Sequence, residues 1–211
     1  MRPFFSNVRD KLDALLRRLS LLPEGPSWEW GQQIGQKYSN GNLKNGRKDG
    51  PWEIYYANGQ LEFSGTYKDG KRHGSWETFY TNGQLKVKGT SINGVPHGLF
   101  KRYYYNGQLN EKLMYRQGEL EGPFETYYEN GRVQEQGFYR DLKLSGPFRA
   151  YYSNGQLMRA GNYSDGHRNG EWIFYYENGQ IGKSGCYRDG TQVGAWEYYD
   201  EQGQRTKPHI F

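Results

Sequence analysis

Residues 50–73 read GPWEIYYANGQLEFSGTYKDGKRH, and residues 74–97 read GSWETFYTNGQLKVKGTSINGVPH. Laid over each other, they share Gly50 with Gly74, Trp52 with Trp76, Tyr56 with Tyr80, Asn58-Gly59 with Asn82-Gly83, and Leu61 with Leu85. The offset is 24 residues, and it continues without insertion: Asn-Gly recurs at Asn106, Asn130, Asn154 and Asn178 and ends as Gln202-Gly203. A Gly followed two residues later by a ring recurs at Gly98, Gly122, Gly146, Gly170 and Gly194. A weaker copy precedes the run, with Gly41, Asn45-Gly46 and Gly50 standing 24 before Gly65, Asp69-Gly70 and Gly74; the last copy is cut short. A strict period of this length marks a repeat architecture, in which each unit buries its apolar face against its neighbours.

One unit predicts one hairpin. Asn-Gly between apolar-rich runs favours a two-residue type I′ turn, because both central residues must take positive φ. Residues 50–57 then pair with 60–68, with Tyr56 facing Leu61, Ile54 facing Phe63 and Trp52 facing Gly65. The same register sets Trp76 against Gly89, Phe124 against Gly137, Phe148 against Gly161 and Trp172 against Gly185. A ring covering a strand glycine rescues it. Phe100, facing Leu113, is the exception. Asp69-Gly70 and its copies end the return strand. A lone hairpin is marginal in water, so the hairpins must add edge to edge. The expected fold is all-β: an elongated single-layer antiparallel meander, with a short N-terminal amphipathic α-helix. Some 15 strands at about 4.8 Å each give a ribbon roughly 70 Å long, twisted and curled into one extended surface.

The period of two assigns faces. Face A carries the Trp52, Tyr56 and Leu61 rows, apolar or aromatic except at Asp200, and is the packed face. Face B carries the Tyr55 row, the Gln60 row and a row that varies: Glu53, Glu77, Lys101, Glu125, Arg149, Ile173, Glu197. A constant row beside a varying one suits a shared platform carrying position-specific chemistry.

Composition agrees and excludes. Mean hydropathy is −1.07, which alone suggests disorder, but 17% of the 211 residues are aromatic, and disordered chains are poor in rings. No apolar run approaches the ~18 residues of a spanning helix. One cysteine, Cys186, permits neither an internal disulfide nor a CxxC knuckle. Lys and Arg number 28 against 23 acidic residues, interspersed, as on a solvated surface.

Residues 1–22 differ from the repeats. Phe5, Val8, Leu12, Leu15, Leu16, Leu19 and Leu22 recur at three and four, predicting an amphipathic helix stopped by Pro23. It could cap the open sheet edge, dock on a partner, or lie on an anionic membrane surface through Arg2, Arg9, Lys11, Arg17 and Arg18. Internal charges and the lack of a small-residue cleavage site argue against a secretory signal, and the expected location is cytoplasmic. Residues 23–33 read as a linker, 34–205 as the array and 206–211 as a tail. The exposed sheet edge could pair with a second copy as a homodimer.

No catalytic constellation emerges. The glutamates of the varying row stand about two strands apart, near 10 Å, too far for a retaining carboxylate pair. His73 and His97 share one unit position and read as loop histidines in solvent. Cys186 stands where other copies have Thr66, Thr90, Met114, Phe138 and Asn162, with no His or Asp at the matching spacing. No phosphate-loop motif occurs, and no metal or cofactor is expected. Glutamates dilute the basic residues, so nucleic acid is not the expected partner.

The unit closely resembles the MORN repeat in its bacterial variant, on Trp52, Tyr55-Tyr56, Asn58-Gly59, Leu61, Tyr67 and Asp69-Gly70, over about residues 35–205. The resemblance implies a β-hairpin ribbon without catalysis. Bacterial chains built only of this variant resemble antitoxin or immunity proteins of the YwqK type, which bind and neutralise a toxic protein; other MORN proteins are scaffolds or bind acidic phospholipids. Ser91 at the Tyr67 position, Leu142 at the Gly70 position and Leu113 at the Gly65 position depart from the pattern. Two of these lie in the middle copies, residues 98–145, and point to a bend or a partner site there. The expected function is therefore binding of a cognate toxin or effector protein, with a peripheral membrane scaffold as the alternative. The expected partner-binding residues are Lys101, Tyr103, Glu125, Tyr127, Arg149 and Tyr151.

Overall fold

The computed structural model describes residues 38–206. The helix expected over 1–22, the linker 23–33, the first residues of the array and the tail after 206 lie outside the described residues. The strands are β1 (Ser39–Lys44), β2 (Arg47–Tyr55), β3 (Leu61–Lys68), β4 (Lys71–Phe79), β5 (Leu85–Ile92), β6 (Val95–Tyr103), β7 (Leu109–Arg116) and β8 (Glu119–Tyr127). They continue as β9 (Val133–Arg140), β10 (Lys143–Leu144), β11 (Gly146–Tyr151), β12 (Leu157–Ser164), β13 (His167–Tyr175), β14 (Ile181–Arg188), β15 (Thr191–Tyr199) and β16 (Arg205–Thr206). They form one open antiparallel sheet in chain order, with only the short β10 off the path. The meander and the period are as the sequence predicts.

The turns are assigned the other way round. At Asn58-Gly59, Gly59 N–H donates to Tyr56 O at 2.9 Å and Tyr56 N–H to Gln60 O at 2.8 Å. Gly59 has φ 83°, while Asn58 is not among the positive-φ residues. That is a three-residue loop, a type I turn closed by a left-handed glycine. The two-residue type I′ turn falls instead at Asp69-Gly70, with φ 50° and 83°. The extra loop residue shifts the register between Ile54 and Tyr55. Trp52↔Gly65 and Ile54↔Phe63 stand, but Leu61 pairs with Tyr55 rather than Tyr56. Cross-strand partners share a face, so the Leu61 row belongs with the Tyr55 row on face B. The tight Asp-Gly turn also lets β4 begin at Lys71, so His73 and His97 sit in strands rather than loops. Between β3 and β4 the ladder shifts at Gly65/Tyr67, opposite Gly74 with φ 89°. This bulge is why each unit opens on glycine.

Two side chains of every loop reach the next one. Tyr56 Oη donates to Phe79 O at 2.7 Å and Asn58 Nδ2 to Thr81 O at 3.0 Å. The bonds recur at each copy, down to Tyr176 Oη to Tyr199 O at 2.9 Å and Asn178 Nδ2 to Glu201 O at 2.8 Å. The Asn Oδ1 meanwhile accepts the N–H two residues on, as from Gln60 at 3.1 Å, which holds the type I loop. The final copy replaces both reaching groups. Asp200 stands where tyrosine was, and its Oδ1 accepts from Gln202 N and Gln204 N of its own loop at 3.1 and 2.8 Å.

The core is one layer of rings on face A. Trp52, Phe63, Trp76, Phe100, Phe124, Phe148 and Trp172 are buried, the last at 0% exposure. Each outer tryptophan lies over the glycine of the preceding strand, across the two-residue turn, rather than over its partner within the three-residue-loop hairpin. A Cβ on Gly161 would stand 2.3 Å from the Trp172 ring and one on Gly41 2.4 Å from that of Trp52. Phe100, the expected exception, covers Gly89 in the same way, with ring atoms at 2.8 Å. Phe124 behaves differently: the preceding strand offers Leu113, and it lies instead against Gly137, at 2.9 Å. Neighbouring rings meet edge to face, as Tyr163 and Trp172 do at 5.2 Å and 86°.

The departures from the repeat have local explanations. Ser91 Oγ accepts the Trp76 indole N–H at 2.9 Å in a buried site, so it satisfies a donor. Leu142 keeps the type I′ turn at φ 63°, a conformation that costs a non-glycine residue about 1–2 kcal/mol. Directly after it the strand breaks into β10 and β11, and Ser145 N–H donates to Phe138 O at 3.0 Å.

Candidate functional site

Face B is organised by register. Along its middle, Glu77 pairs with Lys88, Lys88 with Lys101, Lys101 with Lys112 and Lys112 with Glu125. Gln136 then links Glu125 to Arg149. Lys101, Glu125 and Arg149 therefore belong to one row across the sheet, with return-strand residues between them. Beside it, Tyr103 pairs with Leu109, Tyr127 with Val133 and Tyr151 with Leu157. The six expected residues thus lie in two adjacent rows over β6–β11, and the row with Tyr103, Tyr127 and Tyr151 is a half-buried stripe of alternating tyrosine and aliphatic side chains.

Three lysines on successive strands form the unusual part. Like charges directly opposite each other oppose pairing. Lys112 is neutralised: its Nζ lies 2.6 Å from Glu125 Oε2 and 5.3 Å from the Tyr127 ring centroid. Tyr127 Oη also donates to that carboxylate. Hydrogen bonds from Lys112 and Tyr127 hold the Glu125 carboxyl below its usual range, and the bond to Glu125 raises the Lys112 ammonium above its own. Burial, then the Glu125 bond, pushes the Tyr127 phenol up. The same Glu-to-Tyr bond occurs at Glu53 and Tyr55, 2.6 Å, and at Glu197 and Tyr199, 2.8 Å. Lys88 and Lys101 make no ion pair among the described residues. Tyr151 Oη accepts from Gln136 Nε2 at 3.2 Å, while Arg149 is exposed.

A third row lies on the other side of the lysines. Leu99 pairs with Met114 and Pro123 with Phe138, and Pro147 follows on β11. Leu99 and Phe138 are 45% and 47% exposed. The large apolar side chains are particular to these copies: the same positions hold Pro51 and Thr66, then Ser75 and Thr90, before them, and Glu171, Cys186 and Ala195 after them. The sequence displays this apolar change at Met114 and Phe138, which stand in the Cys186 series. Lys88 and Lys112 are harder to see, because they sit on return strands at another position of the unit. On the N-terminal side a groove of about 910 Å³ opens on face B, with Ser64, Glu77, Thr90 and Lys101 among its lining. Among the described residues, no three His, Cys, Asp or Glu side chains gather as a metal would require.

An array of two-stranded modules with a fixed platform and rows that change from copy to copy defines a repeat scaffold. The MORN repeat variant family matches over residues 48–69, 72–93, 96–117, 120–141, 144–165 and 168–189, and the chain belongs to that family. No curated protein matches it. Among solved structures, it is similar to one titled "Crystal Structure of TarM", at TM-score 0.29 and 11% identity over 75% of this chain and 22% of that one. Another, titled "Crystal structure of GtfA/B complex bound to UDP and GlcNAc", gives TM-score 0.24 and 9% identity over 75% and 38%. The chain thus spans well under half the length of either, and likenesses this low carry no argument.

Proposed function

We propose that the chain is a non-catalytic protein-binding scaffold, an antitoxin or immunity protein that occludes a cognate toxin or effector in the cytoplasm with face B. The observation that carries this reading is the change confined to the central copies. There, exposed Leu99 stands beside Lys101 on β6, Met114 beside Lys112 on β7, and exposed Phe138 two strands further on beside Gln136 on β9, while the tyrosine stripe stays constant. An exposed apolar patch marks an interaction surface, and tyrosine, phenylalanine and methionine are enriched at interface cores. The test is co-expression with the product of the neighbouring gene. The expected result is relief of that product's toxicity and co-purification of a stable complex, both lost in a Leu99→Glu/Phe138→Glu variant that still folds. A neighbour that is neither toxic alone nor retained on the chain overturns the proposal.

A further inference from the structure

We infer that the central band of face B is a seat for an acidic amphipathic helix of the partner protein; this rests on the reading above that face B binds a protein. The lysine row crosses β5–β7 and the apolar row β6–β9, so they run parallel and overlap at Lys101 with Leu99 and at Lys112 with Met114. Two residues along one strand separate them, about 6.6 Å. A helix laid along the rows therefore touches both at once, since its diameter with side chains is about 10 Å.

Spacing selects a helix over an extended strand. Lys88, Lys101 and Lys112 repeat once per strand, which is about 4.8 Å. Side chains at i and i+4 on a helix stand about 5–6 Å apart and follow that step. Same-face residues of an extended peptide stand about 6.6 Å apart and drift off it. Carboxylates at i and i+4 would meet Lys88 and Lys101, the two members of the lysine row that make no ion pair among the described residues. Leu or Phe on the adjoining stripe would meet Leu99, Met114 and Phe138. Charge also disfavours a lipid surface. Glu77 and Glu125 close the lysine row at its two ends, and a continuous anionic sheet of headgroups would press against both.

The test uses the full chain and a fluorescein-labelled helical peptide, alanine-based, with Glu at successive i and i+4 positions and Leu on the adjoining stripe. Fluorescence anisotropy should show saturable binding that weakens as salt screens the contact. Lys88→Glu/Lys101→Glu should weaken it about tenfold or more, as reversed interfacial charges do. Ser184→Glu, in the same row of an outer copy, should leave it unchanged. Circular dichroism checks folding, and Lys101→Gln supplies a milder variant with a smaller loss in the same direction. Absence of saturable binding, or binding indifferent to the lysines, overturns the inference. So does tighter, lysine-dependent binding to phosphatidylserine vesicles than to the peptide. The complex with the natural partner separates the two proposals. If it forms and survives Lys88→Glu/Lys101→Glu, the scaffold stands and the helix seat falls. If the peptide binds as described and the neighbouring product is not retained, the seat stands and the antitoxin reading falls.

Discussion

The outer and central copies cover their rings in different ways. In the outer copies a cation lies over the ring. Lys48 Nζ is 4.6 Å from the Trp52 centroid, and the guanidinium carbons of Arg72 and Arg168 are 4.5 and 4.9 Å from Trp76 and Trp172. In the central copies the same unit position holds Leu120 and Leu144, at 0% and 4% exposure. Arg and Lys keep a wet end while their stems lie on the ring, and burial lowers the Lys48 ammonium's affinity for its proton. Leucine gives up water altogether, and the gain is larger, about 1.5–3 kcal/mol against about 0.5–2 for a cation on a ring. The middle therefore has a tighter face A, reinforced by the Arg102–Glu111 pair at 3.0 Å, and a face B that exposes apolar groups. The lesson is that the buried leucines and the exposed apolar groups of the candidate site occur in the same copies, on opposite sides of one sheet.

The comparison is sharpest at the covering position. Leu120→Ala should cost about 2–5 kcal/mol, and Arg72→Ala about 1 kcal/mol, by urea unfolding. Equal losses would erase the distinction. Next comes the glycine that the outer rings cover. Gly161→Ala forces a methyl into the Trp172 ring and should cost about 1–3 kcal/mol, although Leu113 is tolerated at the equivalent central site. A Gly161→Ala protein as stable as the parent would mean that the ring shifts freely. Leu142→Gly should stabilise the chain by about 1 kcal/mol by removing the left-handed leucine; a fall in the urea midpoint would show that the Leu142 side chain is needed for packing. Smaller still, Lys101→Glu sets a carboxylate between Lys88 and Lys112 and should raise stability by about 0.2–1 kcal/mol. A loss would show that the lysine row does not oppose folding.

The smallest effect at neutral pH belongs to Tyr115, whose buried Oη has no hydrogen-bond partner. Burial, then the Glu111 charge, holds its phenol above the ordinary 10.0. The unfolded chain thus releases that proton first. The stability tied to the neutral phenol is whole below pH 10 and drains as pH rises beyond it. Tyr115→Phe should be near neutral at pH 7 and should blunt the alkaline loss in urea titrations. An unchanged alkaline profile would assign that loss to other groups.

Local signals at a fixed period were the legible part. Repeated Asn-Gly and Asp-Gly pairs and the Gly-x-ring opening disclosed the hairpins, their antiparallel order and the Trp52–Gly65 register. What stayed hidden depends on contacts between copies. The loop type at Asn58 is set by an amide that bonds both its own loop and Thr81, and this moved the Leu61 row to the other face. The lean of Trp172 toward Gly161 rather than Gly185 is a three-dimensional choice between two equal glycines. At the candidate site, Lys101, Glu125 and Arg149 were visible because they share a unit position. Lys88 and Lys112 join them only once the register across the Asp-Gly turn is known.

Asp200, turned back on its own loop, makes the array's length directional. A further 24-residue module spliced between two existing copies would find a tyrosine and an asparagine behind it and a loop ahead, and could slot in as one more rung. The same module appended after Thr206 would meet a carboxylate already satisfied and no outstretched hands. Gene duplication, or an engineer, can therefore lengthen this protein from the inside while its finish stays put.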